Sequence, residues 1–404
     1  MKAELGVQPD VPRASRPARL RELASLFLKL GVVSFGGPAA HIALMEAEVV
    51  RKRQWLTHQQ FLDMLGAANL IPGPTSTETA INVGFVRAGW SGLWVAGASF
   101  IVPAALITGA FAWAYVRFGS LPQAAAVLNG IKPAVVAVIA IAIWRLGKTA
   151  VKDTTLGVLG VLALAAFFLN LNPILVLFGG GALGMLVRQS ANRVQATSGL
   201  LPALSRRPLS RVLSAAAAAT SIAGTALGRP SAWRIFLFFL KVGAVLYGGG
   251  YVLLAFLEQG LVQQHAWLTR QQLLDAIAIG QFTPGPVLST ATFIGYILGG
   301  VPGAAVATVG IFLPSFFYIA LLAPVLFRLR QSPWIAAFLD SVNVCAVALM
   351  AGVTFRLGAD ALRSWSLWVI AILSLFVLLR WKISPAWVVL SGGVAGLLLN
   401  VVHA

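Results

Sequence analysis

The chain reads as an all-α polytopic membrane protein built from two homologous halves, and three observations carry that reading. Of its 404 residues, 58% are hydrophobic and only 10% charged, where a soluble domain has about 25% charged, and mean hydropathy is +0.85. The apolar residues form continuous runs over 90–115, 121–144, 155–170, 172–187, 301–327, 335–355, 365–380 and 385–402. Third, one half of the chain repeats the other in register. In lipid the backbone must satisfy its own polar groups, which selects helices. The runs lack the period-two alternation of a membrane barrel. A cytosolic enzyme, a secreted domain and a fibrous protein are excluded together.

Taken in order, residues 1–23 hold Lys2, Arg13, Arg16, Arg19 and Arg21. The apolar run that starts near Leu26 meets Gly36-Gly37-Pro38 with no cleavage site, so this head reads as a cytoplasmic tail and not as a signal peptide. The first repeat covers 24–187 and the second 236–404. They are joined by an Arg-rich linker, 188–235, in which the uncharged 212–228 suits a connecting span. Leu28-Lys29-Leu30-Gly31 returns as Leu240-Lys241-Val242-Gly243, Trp55-Leu56-Thr57 as Trp267-Leu268-Thr269, and Pro72-Gly73-Pro74 as Pro284-Gly285-Pro286, all at an offset of 212. After a one-residue slip, Gly84, Gly89, Gly92 and Pro103 match Gly295, Gly300, Gly303 and Pro314. Duplicated apolar halves mark secondary transporters, whose site lies where the repeats meet.

Lys and Arg outnumber Asp and Glu by 30 to 12, giving a net charge of +18. In a soluble chain that excess points to nucleic acid; in a membrane chain it sets orientation, and no nucleic-acid partner is expected. Arg188, Arg193, Arg206, Arg207 and Arg211 assign the linker to the cytoplasmic side. Arg380 and Lys382 occupy a loop whose first-half equivalent, 169–172, is neutral. This reversal favours inverted halves, although Arg356 and Arg363 run against it.

Two segments per half are broken. Glycine and proline at Gly36, Gly37 and Pro38, and at Pro72, Gly73 and Pro74, stop a helix inside apolar sequence. The second copies are Gly248 and Gly249, and Thr283 followed by Pro284, Gly285 and Pro286. Such breaks predict broken or re-entrant helices that are buried in protein or line a cavity. A helix restarting after a break exposes N–H groups and its positive dipole end, an anion site. Thr75, Ser76, Glu78 and Asn82 follow the first break, with Thr75, Glu78 and Asn82 on one face; Ser289 and Thr290 follow the second. Hydroxyls and free N–H groups suit a small tetrahedral oxyanion. The plainer reading, that Pro and Gly merely kink packed helices, is weakened by their recurrence in register.

Lys29 and Lys241 precede the glycine pairs by seven residues, to attract an anion or to snorkel to an interface. Glu46 with Glu258, and Asp63 with Asp275, read either as coupling carboxylates or as partners for Arg51 and Lys52. Glu78, whose repeat partner is Thr290, is the first candidate for coupling or gating. Lys132, with Asn343 as its counterpart, has three readings: it neutralises Glu78, touches substrate, or forms a structural pair. His41 reads as a packed or interfacial histidine. Four scattered histidines and the single Cys345 make no metal site, and no cofactor is expected. Gly147-Lys148-Thr149 lacks the first glycine of a phosphate loop, since Ala142 stands there. Membrane potential or an ion gradient is therefore the expected energy source.

Phe35-Gly36-Gly37-Pro38, Trp55-Leu56, Pro72-Gly73-Pro74, Tyr247-Gly248-Gly249-Gly250 and Thr283-Pro284-Gly285-Pro286 resemble the chromate transporter (CHR) family, in its long two-domain form, over about 24–400. The resemblance implies a multi-pass protein of the bacterial inner membrane that exports chromate and confers chromate resistance. Sulfate is the related anion. It also implies halves fused from single-domain proteins of opposite orientation. The family pattern falls on Gly36, Gly37, Pro38, Pro72, Gly73, Pro74, Gly248, Gly249, Pro284, Gly285 and Pro286, while Gly250 replaces the proline found at Pro38. Two alternatives stay open: a carrier of sulfate or another oxyanion, and an intramembrane enzyme acting on a lipid phosphate, for which no nucleophile or acid–base pair is found. Membrane lipid surrounds the chain in every reading, and a homo-oligomer is compatible with all of them.

Overall fold

A computed structural model describes residues 15–196, 230–247, 250–322, 332–381 and 383–403; the expected connecting span at 212–228, and Gly248 and Gly249, lie outside the described residues. Seven α-helices are described in each half. In the first they are α1 (Arg16–Val33), α2 (Pro38–Glu46), α3 (His58–Ala68), α4 (Thr75–Phe118), α5 (Pro122–Ala150), α6 (Thr154–Phe168) and α7 (Pro173–Ala196). In the second they are α8 (Ala232–Val245), α9 (Leu253–Leu257), α10 (Arg270–Phe282), α11 (Thr290–Leu322), α12 (Pro333–Ala361), α13 (Trp365–Arg380) and α14 (Pro385–His403). Local chemistry sets the repeated starts. Thr57 and Gln60 form a capping box on α3, and Thr269 and Gln272 form the same box on α10.

The helix Thr75–Phe118 is not straight. Its φ/ψ angles leave the helical region at Ala88 and at Gly89, where φ is +68°. There the chain folds back, so that a Cβ on Gly84 would strike the Gly92 carbonyl and the Ala96 methyl. α11 repeats the device at Gly299 and Gly300, with Gly295 against Gly303 and Ala307. The returning arm, 90–118, is about 43 Å long and crosses a bilayer.

These reversals make both breaks tips of re-entrant hairpins. At the base of the first half, Arg16 donates to Ser91 Oγ, and Arg19 donates to the Arg87 carbonyl. Arg87 pairs with Glu22 at 3.0 Å and lies 4.8 Å over the ring of Trp55. The starts of α1 and α3 therefore share one end, and the breaks at 34–37 and 72–74 share the other. Gly31 packs on Phe100 and Pro103, which puts the tips level with the middle of the 90–118 arm.

Equivalent helices of the two halves run antiparallel. Gly147 of α5 faces Val347 of α12, while Val136 faces Gly358. Trp94 of α4 stacks on Phe316 of α11 at 4.7 Å, whereas Thr108, further along α4, donates to Ser289 before α11 at 3.1 Å. The halves are thus inverted repeats. They also interlock: α6 and α7 pack on α12, and α13 and α14 pack on α5. Glycine makes this closeness work, with Gly130 meeting Gly396 backbone to backbone.

Ion clusters mark the two ends of α12. Near its start Asp340 takes Lys152 at 2.7 Å and Arg188 at 3.0 Å, and Arg188 also pairs with Asp153. The Leu156 N–H, with Arg188 beside it, holds the Asp153 carboxyl below the usual carboxylate range. At the other end Asp360 takes Arg270 at 3.5 Å and Arg363 at 3.2 Å. Arg356 lies 3.9 Å from Glu258, so the two arginines that ran against the inverted reading are neutralised locally.

Four helices, α4, α5, α11 and α12, are long and apolar enough to cross a membrane, and α6, α7, α13 and α14 are shorter apolar helices. Their outward faces carry residues such as Val161, Leu106, Trp365 and Phe355, each more than two-thirds exposed, a surface that lipid covers. The two kinds of glycine predict different outcomes. Gly84→Val, which drives a side chain into backbone, should abolish folded protein. Gly89→Ala meets open space but an unfavourable φ, costing about 1–3 kcal/mol. Size-exclusion profiles of heated, detergent-extracted variants check both.

Candidate functional site at the meeting of the hairpin tips

The Pro-Gly-Pro tip of each half is bound to the glycine break of the other. Gly73 N–H donates to the Leu246 carbonyl at 2.7 Å, and Gly285 N–H donates to the Ser34 carbonyl at 2.9 Å. Both donors and both acceptors are repeat equivalents, 212 residues apart. The broken ends of α1 and α8 thus receive N–H groups from the opposite half. His41 Nε2 lies 3.1 Å from the same Ser34 carbonyl, with its ring edge-on to Phe100. It is a packed histidine that secures the break. Positive φ at Gly36, Gly37, Gly73 and Gly285 (+107°, +80°, +146° and +85°) explains the glycines. Pro38 occupies the first turn of α2, and Pro74 and Pro286 precede the helical turns after their breaks.

The polar residues that follow are arranged differently in the two halves. In the second half Thr283 donates to the Gly280 carbonyl, Ser289 bonds Thr108, and Thr290 donates to the Val287 carbonyl at 2.8 Å. Those hydroxyls, expected as oxyanion ligands, are engaged by the protein. In the first half Thr75 donates to Asn69 Oδ1 at 3.1 Å. Ser76 and Asn82 are buried. Glu78 is fully buried, and both its carboxyl oxygens lack a hydrogen-bond partner. Thr77 and Ser315, buried nearby, have hydroxyls without partners as well.

Lys132 does not neutralise Glu78. Its Nζ lies 3.0 Å from Asp275 Oδ1, and Asp275 Oδ2 accepts the Tyr115 hydroxyl at 2.9 Å. Of the three readings, the structure shows the structural pair: α5 faces α10, and burial forces opposite charges together. Neither Tyr115 nor Ser315 stood out in the sequence, because each is one polar residue in an apolar span. Asp63, the equivalent of Asp275, is half-exposed and accepts from Gln59 at 3.2 Å. Asn343, the equivalent of Lys132, is half-buried on α12. The asymmetry extends to the whole helix. α10 is buried continuously from Leu273 to Gln281 against α5, α12 and α14, whereas α3 buries only Phe61, Met64, Ala67 and Ala68.

The remaining charges lie apart from the tips. Lys29 pairs with Glu48 at 3.2 Å, and Glu48 also takes Lys52 at 2.9 Å, in place of the expected Glu46. Glu46 takes Arg51 at 3.4 Å and His58 at 3.2 Å. Glu258 takes Arg270 at 3.8 Å and the Gln263 amide at 2.8 Å. Lys241 is exposed and lines a small cleft with Asn172, Gln259 and Gln264. No group of three potential metal ligands occurs among the described residues.

Truncating one member of the buried pair strands the other. Lys132→Met or Asp275→Leu alone should cost about 3–5 kcal/mol, and the double variant Lys132→Met/Asp275→Leu should recover most of it. Thermal midpoints of the three purified variants measure the coupling.

Comparison with known proteins agrees with this architecture. The family model described as Chromate transporter matches twice, over residues 21–185 and 233–397. The chromate transport protein of Cupriavidus metallidurans is 33% identical over 381 residues, covering 94% of this chain and 92% of its own length. The probable chromate transport protein of Synechococcus elongatus is 32% identical over 90% of each chain, and the chromate transport protein of Pseudomonas aeruginosa is 31% identical over 95% and 93%. These relatives are transport proteins and not enzymes. No solved structure matches the chain.

Proposed function

The chain belongs to the chromate transporter family, and on that premise we propose that it carries chromate out of the cytoplasm across the bacterial inner membrane and so confers chromate resistance. The tail and the Arg-rich linker lie on the cytoplasmic side in this reading. One observation supports the route above others: the reciprocal hydrogen bonds of Gly73 to Leu246 and Gly285 to Ser34, which join the Pro-Gly-Pro tip of each half to the glycine break of the other. Irregular backbone is tolerated at membrane depth where it is buried or lines a cavity, and transporter sites are built from it.

The chemistry of the first tip suits a dianion. Thr77 and Glu78 N–H both donate to the Pro74 carbonyl, at 2.8 and 3.1 Å. The Thr75 and Ser76 N–H groups, at the very start of the helix, have no intrahelical acceptor and face the break with the positive dipole end. Gly36, Gly37 and Pro38 follow Ser34, whose carbonyl binds the Pro284-Gly285-Pro286 tip through the Gly285 N–H. An oxyanion exchanges water for N–H and hydroxyl donors here without any change of covalent bonds. Chromate and sulfate are both tetrahedral dianions, so the donors alone select a class and not one member of it.

Purified chain in liposomes with an imposed membrane potential should show saturable chromate flux, with unlabelled sulfate added to test competition. Pro74→Ala should lower flux at least tenfold and abolish chromate resistance in cells at normal protein levels. Flux no greater than that of empty liposomes would overturn the proposal. Flux of sulfate but not chromate would reassign the cargo.

A further inference from the structure

The two tips are equivalent in backbone and unequal in side chains. Around the Gly73 tip stand Glu78, Tyr247, Ser315 and Tyr318. Their repeat equivalents around the Gly285 tip are Thr290, Phe35, Ala104 and Ile107, by the offset of 212 for the first two and 211 for the last two. A side chain on Gly73 would collide with Glu78 Oε1 and would lie 2.6 Å from Ser315 Oγ, so these two groups are neighbours across the glycine. A side chain on Gly285 would meet the Ala104 methyl at 2.6 Å. Tyr247 follows the carbonyl that binds Gly73 and donates to the Leu70 carbonyl just before that tip, and Tyr318 donates to the Ala244 carbonyl at 3.0 Å. At three of these four positions a polar side chain stands against an apolar one, and at the fourth an acid stands against a threonine.

The polar tip is also unsatisfied. Glu78 is 0% exposed and Ser315 is 0% exposed, and neither carboxyl oxygen nor the Ser315 hydroxyl has a hydrogen-bond partner. Among the described residues no lysine or arginine pairs with Glu78. An ionised carboxylate without a partner at membrane depth costs several kcal/mol. The same carboxyl holding a proton, or a small cation bridged to the neighbouring hydroxyl, does not carry that cost. The neighbouring tip, with alanine, phenylalanine and threonine, offers no such group.

We propose that Glu78 and Ser315 form the binding site for a monovalent cation, a proton or sodium, present once per chain, at the Gly73 tip. Its occupancy is read by the same backbone that joins the halves, because Glu78 touches Gly73 and Gly73 holds Leu246. This rests on the transport reading for its purpose, but the site itself does not require that reading.

The test has two independent arms. Dicyclohexylcarbodiimide reacts with a protonated carboxyl in apolar surroundings. Intact wild-type protein in lipid, treated across pH 5 to 9 and mapped by mass spectrometry, should carry label on Glu78 that falls as pH rises. Loss of label on adding sodium but not potassium identifies sodium; no effect of either identifies the proton. Glu78 unlabelled at every pH, with the reagent shown active on a control carboxyl protein, overturns the proposal. In the second arm, chromate flux in liposomes is compared with and without an imposed pH or sodium gradient. The ratio should exceed threefold in wild type, fall to one in Glu78→Gln, and be reduced in Ser315→Ala. A ratio unchanged in Glu78→Gln overturns the site while leaving transport intact. Labelled Glu78 with no chromate flux in wild type overturns the transport reading and leaves the site standing.

Discussion

Two hydrogen bonds organise this molecule. Gly73 N–H reaches the Leu246 carbonyl and Gly285 N–H reaches the Ser34 carbonyl, so each half repairs the broken helix of the other. The carbonyl at each of these broken helix ends is satisfied by the opposite half, as a buried backbone group requires. Inversion of the repeats follows from the same constraint: hairpins entering from one face meet hairpins entering from the other. The folding back of α4 at Gly89 and α11 at Gly300 is what lets a tip return to its own face and still leave a full-length arm alongside. The glycines crowded at 84 and 92, and at 295 and 303, are consequences of that return.

Backbone symmetry does not extend to the way the halves are held. α10 is embedded among α5, α12 and α14, and Asp275 on it is fixed by Lys132 and Tyr115. α3, its equivalent, keeps an open face, and Asn343 stands where a lysine would mirror Lys132. A buried ion pair contributes little net stability against an apolar pair of the same size, yet it punishes any misalignment. Its value here is in register: α10 has one seated position.

Much of this was legible in the sequence, for identifiable reasons. The 212-residue repeat, the Pro-Gly-Pro and Gly-Gly breaks and the apolar runs are local patterns, and they predicted helices, duplication and re-entry. The positive-loop count predicted inversion, and the antiparallel faces of α5 and α12 bear it out. What stayed hidden was pairing across the halves. Lys132 and Asp275 are 143 residues apart in sequence, and nothing in either neighbourhood names the other. Glu48, which gathers Lys29, Lys52 and Arg53, was passed over because its repeat position carries no acid. Ser315 is one serine after a proline, informative only once Ala104 is known to stand opposite it.

The large positive charge gives the exceptions their meaning. Acids are scarce, 12 against 30 bases, so a carboxylate in this chain has bases to spare. Glu22, Glu46, Glu48, Asp153, Glu258, Asp275, Asp340 and Asp360 each lie within 4 Å of one. Asp63 is half-exposed and accepts from Gln59. Glu78 is the most deeply buried of all together with Glu258, and it alone of that pair is without a base among the described residues. In a chain with so many cations, an acid left unpaired at the junction of the halves is not explained by shortage. Its surroundings fit a cation that arrives and leaves, which no fixed lysine or arginine does.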